Sequence, residues 1–390
     1  MSSHSKTLTY PSEGLGAPKD RRPGAVGDVG LPTGTEVISA DDHISLADDI
    51  FFERFPESMR DRAPRVMSID GGWVLGVDGQ PILPPAFIEV LTQYDPVPGS
   101  HTGDVDARLA ALDAEGVARE LAFPNALLAL FGWPDREVRE LCFRIYNEYI
   151  AEIQERSGER IYGVGLINWW DADGTRRTLD ELKALGLKTF LMPYQPGKDE
   201  EKRPIDFAST AMDGVWAAIE EAEIPVSHHI GESPPATPNE FNSLEVSMLQ
   251  SVTPFRDMFG KYIFGGILDR HPGLRVGWFE AGVNWVPAAI QDAQHLGASF
   301  KHLSNLEIEH DPQHYWDQHM MASFMVDPLG LELIDHIGVD RVMWSTDFPH
   351  NESTYGYTSD SLRSVVDAVG ADSAVAIVGD NVTRYLGVSS

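Results

Sequence analysis

The stretch "VISADDHISL", residues 37–46, places two acids and a histidine directly after a short apolar run. Val37 and Ile38 are typical of a buried strand, whereas Asp41, Asp42 and His43 are polar or charged. A buried charge is costly unless it is paired or bound to a cation. Two interpretations are therefore open: the stretch is an acidic, solvated loop, or a strand delivers ligands to a metal ion.

Seven further segments of the chain are short, nearly continuous apolar runs, which predict strands buried on both faces of a parallel sheet. Amphipathic segments lie between them and predict helices. In residues 135–156, for example, apolar residues recur every three or four positions and Asp135 is a suitable N-cap. The eight predicted strands are 37–41, 119–123, 161–167, 187–192, 224–229, 274–279, 320–326 and 341–346.

Eight strands that alternate with helices predict an α/β fold, a (β/α)8 TIM barrel, rather than a doubly wound sheet. No Gly-x-Gly-x-x-Gly motif follows a strand, which removes the main dinucleotide-binding alternative.

Residues 1–35 are rich in Gly, Pro, Ser and charged residues and predict a disordered N-terminal arm, followed by the barrel domain over 36–390. Within that domain, residues 63–105 contain Asp-Gly turns and predict an inserted hairpin excursion after the first β/α unit. Residues 373–387 predict a C-terminal helix that packs on the barrel.

The charge of the chain narrows the classes of partner. It has 390 residues, with 60 acids against 30 bases, a net charge of −30 and a pI near 4.6. This negative charge repels nucleic acid and anionic membrane surfaces, so neither is an expected partner.

Cys142 is the single cysteine, which excludes an intrachain disulfide and a cysteine-based zinc site and fits a reducing cytoplasm. The sequence shows no apolar signal region or membrane-length run, so we expect a cytoplasmic protein.

Three other predicted strands also end in residues of the types that bind metals. The fifth ends in His228 and His229, the sixth in Glu280 and the eighth in Asp347. The carboxyl ends of barrel strands converge on one mouth, where these side chains are expected to meet those of the first strand. Taken alone, each of these residues could have a structural role instead; an acid, for example, could cap the helix that follows it. Their coincidence on four strands, with carboxylates that would repel one another, favours a divalent cation.

Alternation along a strand selects among these residues. Asp41 and His43 are two positions apart, so both point to the same side, here the barrel interior. Asp42 points to the other side and is not expected to be a ligand. His228 and His229 also point in opposite directions. His229 is the predicted ligand, and His228 is expected to face the helix layer or a neighbouring strand.

These residues resemble a family, the metal-dependent amidohydrolase-related proteins grouped with aminocarboxymuconate-semialdehyde decarboxylase. The similarity covers about residues 37–387 and rests on the order and spacing of five motifs. The motifs are "ISADDHI", "IPVSHHIG", "HPGLRVGWFEAGVNWVP", "MWSTDFPH" and "GDNVTRYLG". The resemblance implies one divalent metal ion in a (β/α)8 barrel, held by four ligands: Asp41, His43, His229 and Asp347.

Two positions depart from the family pattern. The first strand of the family carries His-x-His, or Glu-x-His in some relatives, where this chain has Asp41 and His43. The sixth strand of the family ends in a histidine that helps to activate a metal-bound water, where this chain has Glu280. A glutamate whose pKa is raised can serve as a general base, so Glu280 is a predicted catalytic residue.

The resemblance implies a non-oxidative decarboxylase, a carboxy-lyase, of a small aromatic or unsaturated carboxylic acid. Zinc or manganese would polarise this substrate or hold a water, Asp347 would shuttle the proton, and Glu280 would orient the water or share that work. Hydrolysis of an amide or lactone on the same barrel is the first alternative. A catalytically silent binding protein is the second. The expected partners are a small carboxylated molecule and a second copy of the chain in a homodimer.

Overall fold

Eleven strands form two sheets in the computed structural model of this protein, counted over the residues that the structure describes. Those residues are 27–46, 49–69, 72–77, 80–81, 103–125, 127–199, 202–232, 244–303, 308–350 and 352–388. The strands are β1 (Ile38–Ile44), β2 (Arg65–Ile69), β3 (Gly72–Val77), β4 (Gln80–Pro81), β5 (Arg119–Pro124), β6 (Ile161–Leu166), β7 (Thr189–Leu191), β8 (Val226–His229), β9 (Val276–Phe279), β10 (Met320–Phe324) and β11 (Val342–Trp344).

The larger sheet contains β1 and β5 to β11, paired in chain order, and each of these pairs is parallel. The barrel closes between β1 and the chain that follows β11. Asp347 N donates to Asp41 O at 2.7 Å, and His43 N donates to Phe348 O at 2.7 Å. The predicted α/β barrel with eight parallel strands is therefore confirmed. All eight strands fall within, or within three residues of, the expected segments.

The helices lie between the strands, as the alternation of the sequence predicts. Several begin at an aspartate whose carboxylate accepts a backbone N–H of the first turn; Asp135, for example, accepts from Val138 N. The helices are Ile50–Arg54, Val105–Glu115, Arg136–Arg156, Ala172–Ala184, Asp213–Ala222, Leu244–Ser251, Thr253–Ile263, Ile267–Arg270, Trp285–Phe300, Pro312–His319, Pro328–Glu332, Ile334–Ile337, Thr358–Val369, Ala371–Val375 and Asn381–Leu386. Short 3-10 turns occur at Glu57–Arg62, Leu127–Gly132, Thr210–Met212 and Val339–Arg341.

The sequence also predicted the structure of three segments outside the alternation of strands and helices, namely 1–35, 63–105 and 373–387. In the expected excursion 63–105, β2 to β4 form an antiparallel sheet; its turns at 70–71 and 78–79 and residues 82–102 lie outside the described residues. Of the expected arm 1–35, the structure describes 27–35, where Val29 is buried in the core. The expected helix 373–387 is divided by a π-helical turn at Ala376–Asp380.

A cavity of about 960 Å³ lies at the opposite end of the barrel from the acidic strand ends. Residues at or just before the starts of β1, β5, β6 and β7 line most of it, and both of its arginines are paired. Arg119 contacts Glu36 at 2.9 Å, and Arg160 contacts Asp113 at 2.7 Å. The residues with metal-binding chemistry lie at the other end of the barrel. Among the described residues, no helix is both long enough and apolar enough to cross a bilayer.

Candidate metal centre

β1 and β8 deliver three of the predicted ligands to the carboxyl end of the barrel. Asp41 and His43 lie near the end of β1, and His229 is the last residue of β8. His229 Nε2 lies 3.2 Å from Asp41 Oδ1, and His43 Nε2 lies 3.7 Å from the same oxygen. His229 Nδ1 donates to Ile230 O at 2.7 Å, which orients the ring and directs Nε2 into the group.

His228 points to the opposite side of β8, toward the helix Thr253–Ile263. Its Nε2 lies 2.8 Å from the Tyr262 hydroxyl, and its ring stacks on Trp278 with 5.2 Å between ring centroids. Burial lowers the pKa of His228 to about 3, so its imidazole is neutral. His228 therefore belongs to the packing between the barrel and its helices.

Glu280 and Asp347 reach the same end of the barrel from strained backbone positions. Glu280 follows directly after β9 with φ 63°, and Asp347 follows β11 by three residues with φ 58°. Side-chain-bearing residues rarely adopt such values, which persist where surrounding contacts fix them and are frequent at functional sites. Here Glu280 N donates to Ser323 Oγ at 3.1 Å, and Asp347 N donates to Asp41 O.

The side chains of these two acids complete a buried cluster around His43. His43 Nε2 lies 3.1 Å from Asp347 Oδ1 and 3.6 Å from Glu280 Oε2. Glu280 Oε2 also lies 2.9 Å from His229 Nε2. Ligand atoms about 2.1 Å from one tetrahedral ion lie about 3.4 Å from each other. The five histidine–carboxylate distances given above, 2.9 to 3.7 Å, lie around that value.

Several polar atoms of this cluster are buried and have no hydrogen-bond partner among the described residues. They include both carboxylate oxygens of Asp347, Oδ2 of Asp41 and both ring nitrogens of His43. Buried polar groups are nearly always satisfied, so a cluster of unpartnered ones indicates a missing partner. A bound cation would satisfy the carboxylate oxygens and a nitrogen of His43, and the donor set fits such an ion.

The structure divides the four predicted ligands between two groups whose ligand atoms all lie within 4.8 Å of one another. One group is Asp41, His43 and His229, and the other is His43, Glu280, Asp347 and His350. His43 belongs to both, so the predicted ligands form one cluster through it. Asp347 lies with Glu280, the predicted catalytic partner, rather than with Asp41 and His229.

His350 is a member of the cluster that was not predicted from the sequence. Its Nδ1 lies 3.0 Å from Asp347 Oδ1 and 3.7 Å from Glu280 Oε1. Its ring stacks on His43 with 3.9 Å between centroids and 25° between planes. The sequence did carry a signal, since His350 is three residues after Asp347 in "WSTDFPH". A loop residue has no strand alternation to fix its direction, however.

Asp42, which alternation excludes as a ligand, holds the segment that carries Asp347. Its Oδ1 accepts the backbone N–H of Phe348 at 2.7 Å and a hydrogen bond from the Thr346 hydroxyl. Nearby, the buried Arg108 guanidinium lies over the Phe348 ring and pairs with Glu120 at 2.7 Å. These buried polar groups fix the backbone on one side of the cluster.

Burial and neighbouring charges shift the pKa values of these residues in different directions. Burial raises the pKa of Asp347 well above its usual range and also raises that of Asp41. Although burial opposes a charged imidazole, the Asp41 and Glu280 carboxylates raise the pKa of His229 well above its ordinary value. Burial likewise opposes a charged Glu280, but His229 holds the pKa of Glu280 well below its usual range. Glu280 and His229 therefore form an ion pair, while burial disfavours the charged form of Asp347 and Asp41, a cost that a bound cation would offset.

A family model described as Amidohydrolase matches residues 72–388 of the chain. The chain belongs to the amidohydrolase family. This match confirms the predicted family and makes the protein an enzyme of the amidohydrolase superfamily. The matched residues begin after β1, so Asp41 and His43 lie ahead of them. No curated protein matches the chain in sequence.

Solved structures of amidohydrolases and decarboxylases share the fold. An amidohydrolase from Mycobacterium avium subsp. paratuberculosis K-10 is 19% identical, with TM-score 0.71 over 92% of this chain and 99% of its own. A 5-carboxyvanillate decarboxylase from Sphingomonas paucimobilis is 15% identical, with TM-score 0.66 over 91% and 100%. A dihydroxybenzoic acid decarboxylase from Polaromonas sp. JS666, with manganese and 2-nitroresorcinol bound, is 14% identical, with TM-score 0.63 over 90% and 97%. At these low identities, the three structures show only that this amidohydrolase has the same fold.

Proposed function

We propose that this amidohydrolase is a metal-dependent, non-oxidative decarboxylase of a small aromatic or unsaturated carboxylic acid. The observation that carries the proposal is the buried cluster at the carboxyl ends of β1, β8, β9 and β11, with its unpartnered carboxylate oxygens and imidazole nitrogens. The fold shared with decarboxylases of substituted benzoic acids supports this reaction.

The proposed ligands of one divalent ion are Asp41, His43, His229 and Asp347. When bound, this ion supplies a Lewis acid that polarises the carboxylate of the substrate or an adjacent hydroxyl. The ligand set mixes imidazole with carboxylate, which suits manganese or zinc. The manganese bound in the Polaromonas decarboxylase structure favours manganese as the first metal to test.

In the proposed reaction, the bond between the carboxylate and its carbon breaks and carbon dioxide leaves. A proton then takes the vacated position on that carbon. Asp347 is the proposed proton carrier, and its Oδ2 is buried and has no hydrogen-bond partner among the described residues. Glu280, whose Oε2 lies 2.9 Å from His229 Nε2 and 3.6 Å from His43 Nε2, is the proposed group that orients a water or shares the proton transfer.

The test begins with elemental analysis of protein purified without a chelator. The protein is then loaded with manganese or with zinc and screened with hydroxybenzoates and muconate-type acids for release of carbon dioxide. We expect about one ion per chain and metal-dependent carbon dioxide release. Release of an acid from an amide or lactone without carbon dioxide would instead establish the hydrolase alternative. Protein that binds no metal and turns over none of these compounds would support the silent binding protein.

Two further expectations belong to this proposal. The dimer is tested by light scattering of the purified protein, where a mass near 43 kDa would contradict it and twice that mass would support it. The cytoplasmic location is tested by fractionation of the cells that produce the protein.

A further inference from the structure

The strongest unassigned feature of the cluster is His350. Its side chain is 18% exposed, whereas those of Asp41, His43, His229, Glu280 and Asp347 are at most 5% exposed. His350 is therefore the most exposed of these six side chains.

The two ring nitrogens of His350 face different surroundings. Nδ1 faces the carboxylates of Asp347 and Glu280, at 3.0 and 3.7 Å. Nε2 is buried and has no hydrogen-bond partner among the described residues. A buried ring nitrogen without a partner is costly, and a ligand oxygen is one group that can satisfy it.

The orientation of the His350 ring is fixed by its neighbours. One face of the ring stacks on His43, one of the proposed metal ligands. The stack and the carboxylates beside Nδ1 leave Nε2 as the ring nitrogen that is available to a bound molecule. A group placed in this way can bind substrate without being a metal ligand itself.

We propose that His350 is a substrate-contacting residue, whose Nε2 hydrogen-bonds a carboxylate or hydroxyl oxygen of the acid bound at the metal centre. This inference rests on the proposed function, because it requires a substrate with such oxygens. It adds a residue that lies outside the predicted ligands and outside the predicted catalytic pair, Asp347 and Glu280. The contact discriminates between acids according to the position of their polar oxygens.

Two substitutions separate the roles of the two nitrogens. In His350→Asn the side-chain amide nitrogen lies near the position of Nδ1, and in His350→Gln it lies near that of Nε2. The full chain, loaded with manganese, is titrated by calorimetry with 2,6-dihydroxybenzoate and with 2-nitroresorcinol, and bound manganese is measured in the same samples. His295→Asn, an exposed substitution on the helix Trp285–Phe300, is the matched control.

We expect His350→Asn to keep its manganese and to raise the Kd of at least one probe by about 10- to 100-fold, the loss expected for a hydrogen bond to a charged group. His350→Gln should recover most of the affinity, and His295→Asn should bind like the wild type. Unchanged affinity in His350→Asn would overturn the inference and leave the proposed function standing. Loss of manganese in both variants would also overturn it, since His350 would then be a ligand. A wild-type protein that holds manganese but binds neither probe would overturn the inference together with the proposed class of substrate.

Discussion

The neighbouring histidines of β8 provide the sharpest test of the metal centre, because they differ in direction rather than in chemistry. His229→Ala removes a proposed ligand that lies 3.2 Å from Asp41 Oδ1 and 2.9 Å from Glu280 Oε2. His228→Ala removes an equally buried imidazole that contacts Tyr262 and Trp278 instead. We expect the first change to abolish metal binding and the second to leave it largely intact.

The structure also gives the expected cost of each change to folding. His228→Ala empties a fully buried volume and leaves the Tyr262 hydroxyl without its partner at 2.8 Å. A cavity of this kind costs about 2–4 kcal/mol, and an unsatisfied buried hydroxyl about 1–3 kcal/mol. We therefore expect His228→Ala to lower the free energy of unfolding by about 3–7 kcal/mol. His229→Ala should lower metal affinity by more than the 10- to 100-fold that loss of a supporting residue costs.

The assay measures bound metal by elemental analysis and unfolding by urea titration for both variants and the wild type. If His228→Ala is too unstable to purify, His228→Gln keeps a hydrogen-bonding group for Tyr262 and replaces it. A His228 variant that folds but has lost its metal, beside a His229→Ala protein that retains it, would show that the register of β8 is wrong by one residue. Metal retained in both variants would refute His229 as a ligand.

Three other predictions follow from the cluster and its supports. Glu280→Gln should keep the metal and the fold but lower turnover by on the order of 10²–10⁴, measured on the substrate that releases carbon dioxide; a variant with full activity would contradict this. Chelation should lower the free energy of unfolding by about 2.7 kcal/mol relative to protein with free metal at 100 times its Kd, measured by urea titration; equal stability would contradict a tight site. Arg108→Met should cost about 3–5 kcal/mol, because it leaves Glu120 charged and unpaired in the interior; a cost below 1 kcal/mol by urea titration would contradict this.

The sequence predicted the barrel because a buried parallel strand leaves a clear pattern. Continuous apolar runs such as 161–167 are typical of these strands when helix-like segments separate them, and β6 was found at Ile161–Leu166. The end of the chain was harder to predict. Residues 373–387 have apolar periodicity throughout, and that pattern does not report the π-helical turn at Ala376–Asp380.

In the candidate site, too, residues on strands were easier to predict than residues in loops. Alternation along β1 and β8 predicted that Asp41, His43 and His229 point to the same side, and their ligand atoms do meet, although the register of β1 shifts between Ser39 and Asp42. Glu280 and Asp347 lie beyond the ends of their strands at positive φ, where the alternation of a strand no longer applies. Only their position after a predicted strand indicated that they lie at the mouth of the barrel. His350 is further along a loop, where no period applies, and the ring stack on His43 is a tertiary contact that the sequence alone does not contain.

Asp41 and Asp347 take part both in barrel closure and in the proposed metal site. Asp41 supplies its backbone oxygen to the closing hydrogen bond and its carboxylate to the cluster, while Asp347 supplies the N–H of that bond and a second carboxylate. Carboxylates buried around one histidine repel each other unless a proton or a cation lies among them. A divalent ion would bind the closed barrel better than an open one, so metal binding and closure stabilise each other. With the proposed ion bound, this coupling would help a chain with a net charge of −30 to bury Asp41, Glu280 and Asp347 around His43.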